Sequence, residues 1–249
     1  MHSAGEEVTS DYLVAATWAS AFLGMPNVAT VWIPAKDFVS AHRSSTSFSL
    51  SREVRKIDGD EVRFGRYGLG FGENIFIDPE WTEFSLPRSL PKEVTAEFTL
   101  DGQWDAYVIA PGTFTSRVKN EEFFTNSNDE DSEAITEFLR THAPTSSTYP
   151  GSDEVLSWVS IRNGAGELVG VAALTQWESG GKLLSSVAVH SEMRGAGIGA
   201  SVVGASVERA KELGIEHLLL AVTRSNESAI RLYEKVGFTR LGQFNHFSR

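Results

Sequence analysis

One stretch of the chain, Leu184 to Phe238, combines a cluster of glycines with an Arg, an Asn and a Tyr in an order that suits ligand binding. An apolar run, Leu184 to Val189, leads to Arg194-Gly195-Ala196-Gly197-Ile198-Gly199-Ala200. A long amphipathic stretch follows, then a second apolar run, Leu218 to Val222. Asn226 to Val236 reads as a short helix that closes on Gly237-Phe238. The order is strand, glycine-rich turn, helix, strand, helix. A helix start offers N–H groups without helical partners and the positive end of the macrodipole. Gly195, Gly197 and Gly199 lack a Cβ, so a ligand can approach the backbone closely. Arg194 adds a fixed positive charge at the same spot. The chemistry this arrangement suits is the holding of a nucleotide-type pyrophosphate.

Three phosphate-binding patterns compete for the turn. A Walker loop needs Lys and then Ser or Thr after its last glycine; here Gly199 is followed by Ala200 and Ser201. A dinucleotide fingerprint needs glycines spaced two and then three apart, whereas Gly195, Gly197 and Gly199 are spaced two and two. An Arg followed by glycines three and five places later, here Arg194, Gly197 and Gly199, resembles the GNAT family of acyl-CoA N-acyltransferases. The likeness extends on both sides. Val187-Ala188-Val189 resembles the family's fourth strand, and the segment from Asn226 to Phe238 resembles its last helix, including the Asn, Ala, Leu-Tyr and Gly-Phe positions. It covers roughly the second half of the chain.

The resemblance implies an α/β fold with a mixed sheet, acetyl-CoA as acyl donor and a primary amine as acceptor, with direct transfer in a ternary complex. It implies that the backbone of Val187, Ala188 and Val189 carries the pantetheine arm, with the Val189 N–H polarising the thioester oxygen. The turn of Arg194, Gly195, Ala196, Gly197, Ile198, Gly199 and Ala200 would hold the pyrophosphate. Asn226, Ala229 and Tyr233 share one helix face by their spacing. Tyr233 is then the expected acid for the departing thiolate, and Asn226 a pantetheine contact or a helix cap. Some family members carry a Glu base early on the fourth strand; the matching position here is Leu183. Glu178, His142 and His217 are the remaining candidates for a base, each with a plain structural reading beside it, and Ser185 and Ser186 are able only to orient a water. The alternative from another class is a non-catalytic acyl-CoA-binding regulatory module.

Composition bounds these readings. A chain of 249 residues with 41% hydrophobic content is long enough for one large or two small domains. It has no Cys, which excludes disulfides, thiolate metal sites and a Cys nucleophile. No metal is expected. The net charge is −11 and is spread over both halves, which disfavours nucleic acid as a partner. The start, MHSAGEEVTSDY, lacks a basic and an apolar region of the leader type, and no apolar run is long enough for a membrane helix. The expectation is a cytoplasmic protein without a membrane partner.

The elements that must position the site form two zones, read as an N-terminal α/β domain over residues 1–103 and a GNAT domain over 104–249. In the first, Glu6 to Leu23 is expected as a helix stopped at Gly24-Met25-Pro26, and Val28 to Ile33 as a strand. Ser40 to Ser51 reads as a polar loop. Strands are expected at Val62 to Leu69, Asn74 to Ile77, Val94 to Leu100 and Trp104 to Ala110. Gly65 to Gly72 is glycine-rich and carries Arg66, but no helix start follows, so it reads as a twisted strand rather than a second phosphate site. The zone is expected to shape the acceptor site or a dimer contact, and a degenerate second copy of the GNAT fold is its alternative description. In the second zone, Asp129 to His142 reads as a helix, and Asn126-Ser127-Asn128-Asp129 supplies its capping candidates. Leu156 to Ile161 and Leu168 to Gln176 read as a hairpin, and Phe238 to Phe247 as another with its bend near Gly242.

Overall fold

Asp11 starts the first helix. Its Oδ1 accepts from the N–H groups of Leu13 and Val14 at 2.8 and 3.2 Å, which satisfies two orphan donors. The helix, α1 (Tyr12–Leu23), ends at Gly24 in the left-handed region. In the computed structural model, residues 6–25, 33, 35–58, 61–115, 129–177 and 180–249 are described. The helix was expected from Glu6, but Glu7–Thr9 forms β1 instead, antiparallel to β2 (Phe38–Arg43). The strand expected at Val28 to Ile33 lies outside the described residues save Ile33, and Asn126 to Asn128 lie outside them too.

The polar stretch Ser40 to Ser51 is not a loop. It holds the end of β2, a short turn and the start of β3 (Ser47–Asp58). Its serines obey a period of two that their polarity hides: Ser47, Ser49 and Ser51 alternate with the buried Phe48 and Leu50. The hydroxyls are accommodated by hydrogen bonds, Ser40 Oγ to Ser51 Oγ at 2.8 Å and Ser49 Oγ to the Phe76 carbonyl at 3.4 Å. Next come β4 (Glu61–Gly72) and β5 (Glu83–Pro87), the latter not foreseen. Asn74 to Ile77 has no ladder partners and is not a strand. Val94 to Leu100 divides between a 3-10 turn, Lys92–Thr95, and the start of β6 (Thr99–Ile109).

The second zone follows the expected order. It runs α2 (Asp129–His142), β7 (Val155–Arg162), β8 (Leu168–Gln176), β9 (Lys182–Val189), α3 (Ile198–Glu212), β10 (Leu218–Thr223), α4 (Glu227–Val236) and β11 (Thr239–Ser248). The final segment is one strand and not a hairpin. It lies between β5 and β6 and pairs with both, and the register shift between Arg240 and Gly242 marks a bulge in place of a bend.

Among the described residues, eleven strands form a single sheet in the order β1-β2-β3-β4-β5-β11-β6-β10-β9-β8-β7. Two neighbouring pairs are parallel, β4 with β5 and β9 with β10. Side-chain alternation assigns the faces. Ala106, Val108 and Leu219 pack with α1, and Val171 and Ala173 pack with α2. Their neighbours Tyr107, Ile109, Leu218, Leu220 and Ala172 pack under α3 and α4. One face therefore carries α1 and α2, the other α3 and α4. The limit set at 103/104 falls inside β6. Beside it the buried Asp105 accepts from Arg88, which follows β5, and from Gln243 on β11, and it pairs with Arg240. This ties the two zones through a desolvated ion network. Among the described residues no helix is long and apolar enough to cross a membrane.

Candidate active site

The site begins where two parallel strands part. β9 and β10 share a single pair, Leu183 with Leu219, while β10 stays paired to β6 along its whole length. Beyond that pair β9 keeps only β8 beside it, so its other edge faces a widening gap. The N–H of His190 bonds the Val169 carbonyl on β8 at 2.9 Å. N–H groups alternate along a strand, so that of Val189 points to the opposite, unpaired edge. The expected oxyanion donor is thus directed into the gap.

A bulge adjusts this edge. Between the pairs Val171 with Ala188 and Ala173 with Ser185, β9 carries one residue more than β8. Ser186 takes φ 48°, a costly conformation for a residue with a side chain. Two bonds to the Thr148 backbone hold it: its Oγ donates to the carbonyl at 2.9 Å and accepts from the N–H at 3.3 Å. Ser185 bonds Thr175 across the hairpin at 3.2 Å. Both serines work for the strand. Val187 packs on the α3 side and Ala188 beneath α2.

From Val189 the chain passes a short 3-10 turn, Ser191–Met193, and reaches Arg194 and the glycines. Gly197, at φ 88°, is the N-cap of α3 and supplies no side-chain cap, so the first N–H groups of the helix, at Ile198 and Gly199, are open to an anion. A Cβ at Gly195 or Gly197 would meet nothing within 4 Å, so the space above the turn is free. Gly199 differs. A Cβ there would stand 3.0 Å from Leu232 Cδ2, so this glycine also lets α3 pack on α4. The N–H groups of Ala200 and Ser201 already bond the Gly197 carbonyl at 3.0 and 3.2 Å. Ala196 bridges the two positive-φ glycines. Arg194 Nη2 donates to the His142 carbonyl at 2.8 Å, which fastens the turn to the end of α2.

Asn226 caps α4. Its Oδ1 accepts from the Ala229 N–H at 3.2 Å and from Ser228 Oγ at 3.1 Å. Two turns on, Tyr233 is 7% exposed among the residues under α3 and α4. Burial pushes its phenol up to about 12. The group is held as a neutral donor. The same desolvation would raise the conjugate thiol, so the gap between acid and leaving group is narrower than this value alone suggests.

Of the three base candidates, the two that are described, His142 and His217, are not gathered here. Glu178 lies outside the described residues. His142 sits beside the glycine turn: its Nδ1 accepts from the Ser191 N–H at 3.3 Å, and its ring lies 4.2 Å from that of His190. Burial lowers its pKa first, then the charges of His190 and Arg194, with Glu192 opposing. His217 lines a separate cleft with Lys182 and Glu216, where β9 and β10 are still joined.

Sequence reasoning missed a second group of residues. On the α1 and α2 face, a cavity of about 360 Å³ lies on the seam of the two zones. Its wall contains Ser85, the hub of a network: Tyr67 OH and Trp104 Nε1 both donate to Ser85 Oγ at 3.0 Å, and His246 Nδ1 lies 3.2 Å away. Ser85 Oγ thus joins three side chains from three other strands. Trp104 stands opposite Thr223, at the end of β10 where the gap opens. These residues come from β4, β5, β6 and β11, and no spacing in the sequence links them.

Residues 118–238 match the model of the acetyltransferase (GNAT) family. L-methionine sulfoximine/L-methionine sulfone acetyltransferase of Pseudomonas aeruginosa is 32% identical over 83 residues, covering 32% of this chain and 48% of the relative. Mycothiol acetyltransferase of Thermobispora bispora is 39% identical over 54 residues, 22% of this chain and 18% of that protein. The chain thus spans at most about half the length of these relatives. A GCN5-related N-acetyltransferase structure from Sphaerobacter thermophilus has a TM-score of 0.65 at 12% identity, over 100% of this chain and 96% of that one. This likeness shows the fold across both zones.

Proposed function

We propose, from the membership of residues 118–238 in the acetyltransferase (GNAT) family, that the chain is an N-acetyltransferase. It moves the acetyl group of acetyl-CoA to a primary amine of a small molecule or peptide. The observation that carries this reading is the parting of β9 from β10 beside an uncapped helix start. The pyrophosphate binds the α3 N-terminus and the Arg194 turn, and the pantetheine arm lies along Val187, Ala188 and Val189 in the gap. Asn226 and Ala229 flank the arm from α4. The neutral amine attacks the thioester carbonyl. The oxygen that becomes negative takes the Val189 N–H. Collapse breaks the C–S bond, and Tyr233 donates a proton toward the departing sulfur. The attacking nitrogen releases its proton to water. The relative from Pseudomonas aeruginosa is named for acting on amino-acid-like sulfoximines and sulfones, which supports a small amine as acceptor.

The first zone belongs to the same reading as the far wall of the acceptor site. We take it to be a degenerate second copy of the fold, because β2 to β5 repeat the pairing pattern of β7 to β10. The test is release of free thiol from acetyl-CoA in the presence of a panel of primary amines. Amine-dependent release supports the reading. Tight acetyl-CoA binding with no release from any amine would favour the non-catalytic acyl-CoA-binding module.

A further inference from the structure

The seam cavity contains one cation that its surroundings leave unsatisfied. Arg52, on β3, lies across the ladder from Tyr67 on β4, with its guanidinium 5.2 Å from the Tyr67 ring. Its Nε is buried and has no hydrogen-bond partner among the described residues. A buried donor left unpaired is costly, and its presence beside a cavity marks a place for an acceptor group. The neighbouring polar groups do not fill that need. Ser85 is already engaged by Tyr67, Trp104 and His246. The remaining lining is Val54, Glu83 and the indoles of Trp104 and Trp177, with Trp104 stacked on Phe244 at 4.4 Å.

We propose that this cavity binds the acceptor, and that the acceptor is a free amino-acid-like compound: a primary amine with a carboxylate on Arg52 and an apolar side chain between the indoles. The proposal rests on the N-acetyltransferase reading and adds the substrate class to it. The geometry orients the molecule. Arg52 is level with Tyr67 and Glu83, and Trp104 is level with Thr223 at the mouth of the gap. A carboxylate on Arg52 leaves the amine on the side of the thioester. Arg is suited to the task because its planar fork matches a carboxylate. The cavity, at about 360 Å³, is near the lower end of ligand pockets, roughly 300 to 1,000 Å³. That fits a free amino acid better than a protein N-terminus. Glu83 lines the same cavity and defines the opposing outcome, a diamine whose second cation it would hold.

The experiment compares matched acceptors on the full chain by thiol release: phenylalanine against phenethylamine, leucine against isopentylamine, and putrescine. The carboxylate-bearing partner of each pair should be favoured in kcat/KM. Arg52→Gln should raise KM for phenylalanine about ten- to a hundredfold, the worth of a hydrogen bond to a charged group. It should leave KM for acetyl-CoA and the turnover of phenethylamine unchanged, and Arg52→Lys should fall between. Equal use of phenylalanine and phenethylamine, an equal loss with both in Arg52→Gln, or a preference for putrescine would overturn the proposal. If no acceptor releases thiol, the acetyltransferase reading fails separately. Calorimetry of phenylalanine and phenethylamine with CoA present then decides the cavity. Binding of phenylalanine alone, lost in Arg52→Gln, supports carboxylate recognition, and no preference refutes it.

Discussion

Strands β2 to β5 and strands β7 to β10 run through the same pairings: antiparallel, antiparallel, then parallel. What joins the parallel strands differs. From β9 the chain turns through open glycines into α3 and returns as β10. From β4 it crosses to β5 as an irregular segment, 73–82, with no helix. Both halves are rich in glycine, and the glycines do opposite work. A Cβ on Gly68 would lie 2.1 Å from Trp81, and one on Gly70 2.7 Å from Ile75, so these glycines admit the crossing segment. A Cβ on Gly195 or Gly197 meets nothing. At the crossover, Gly68 and Gly70 lie under side chains in one half, and Gly195 and Gly197 face free space in the other. One half has spent its crossover on packing, and the other keeps it open for a ligand.

The harshest way to break the comparison is to remove one half. A fragment starting at Gln103 cuts into β6, strips β5 from β11 and takes Arg88 from Asp105. Asp105 keeps Gln243 and Arg240, but loses its most buried cation, which is destabilising for a desolvated carboxylate. The fragment should aggregate or lose all acceptor turnover, as checked by size-exclusion chromatography and thiol release. A soluble, fully active fragment would show that the first zone supplies neither the core nor the acceptor wall.

Paired glycine variants sharpen it. Gly68→Ala drives a methyl group into the Trp81 ring and should cost about 3 kcal/mol, close to 10 °C in Tm for a chain of this size. Gly197→Val meets no side chain but carries backbone strain of about 1 to 3 kcal/mol, so its Tm should fall by about 3 to 10 °C. It should nonetheless weaken acetyl-CoA about a hundredfold or more, the worth of two charge-assisted hydrogen bonds. Calorimetry on the parent should find one acetyl-CoA per chain. Two would mean that the half with the filled crossover also binds.

The same contrast explains what the sequence made legible. The ligand half was read almost element by element, because Arg194 to Ala200 and Asn226 to Phe238 are local patterns whose function depends on residues close in sequence. The failures were tertiary. Ser47, Ser49 and Ser51 look like a loop until β2, β3 and Phe76 supply partners for their hydroxyls. Phe238 to Phe247 looks like a hairpin until β5 and β6 are seen on either side of it. Arg52, Ser85, Trp104 and His246 are brought together by register alone, across strands far apart in the chain. Neither histidine chosen as a base by residue type stands at the gap, because type carries no information on which end of a strand faces it.

Tyr233→Phe probes the working half without touching its frame. The ring stays in the core under α3 and α4, so Tm should change by only a few degrees. Turnover should fall about a hundredfold, in the range of a general acid, while KM for acetyl-CoA moves little. Turnover equal to the parent, with chemistry limiting, would transfer the acid role elsewhere.

The smallest effect concerns His142, which the phosphate end depresses and which has no counterpart role in the other half. In the free protein its pKa lies below 6.5 through burial and then the charges of His190 and Arg194, with Glu192 opposing. The neutral ring is the favoured form. Its contribution to stability is therefore fully present above about 6.5 and is lost as pH falls through the lowered folded value. A pyrophosphate at the adjoining turn reverses the balance, because an anion favours the imidazolium. Binding should take up part of a proton, and the affinity for CoA should gain a few-fold as pH falls from about 7.5 to 6. The phosphate groups of CoA titrate in the same window, so the measure is the difference between the parent and His142→Gln across that range. The parent should gain affinity relative to the variant as pH falls. Parallel profiles would mean that the pyrophosphate lies beyond the reach of this histidine, and that Arg194 and the α3 N-terminus hold it alone.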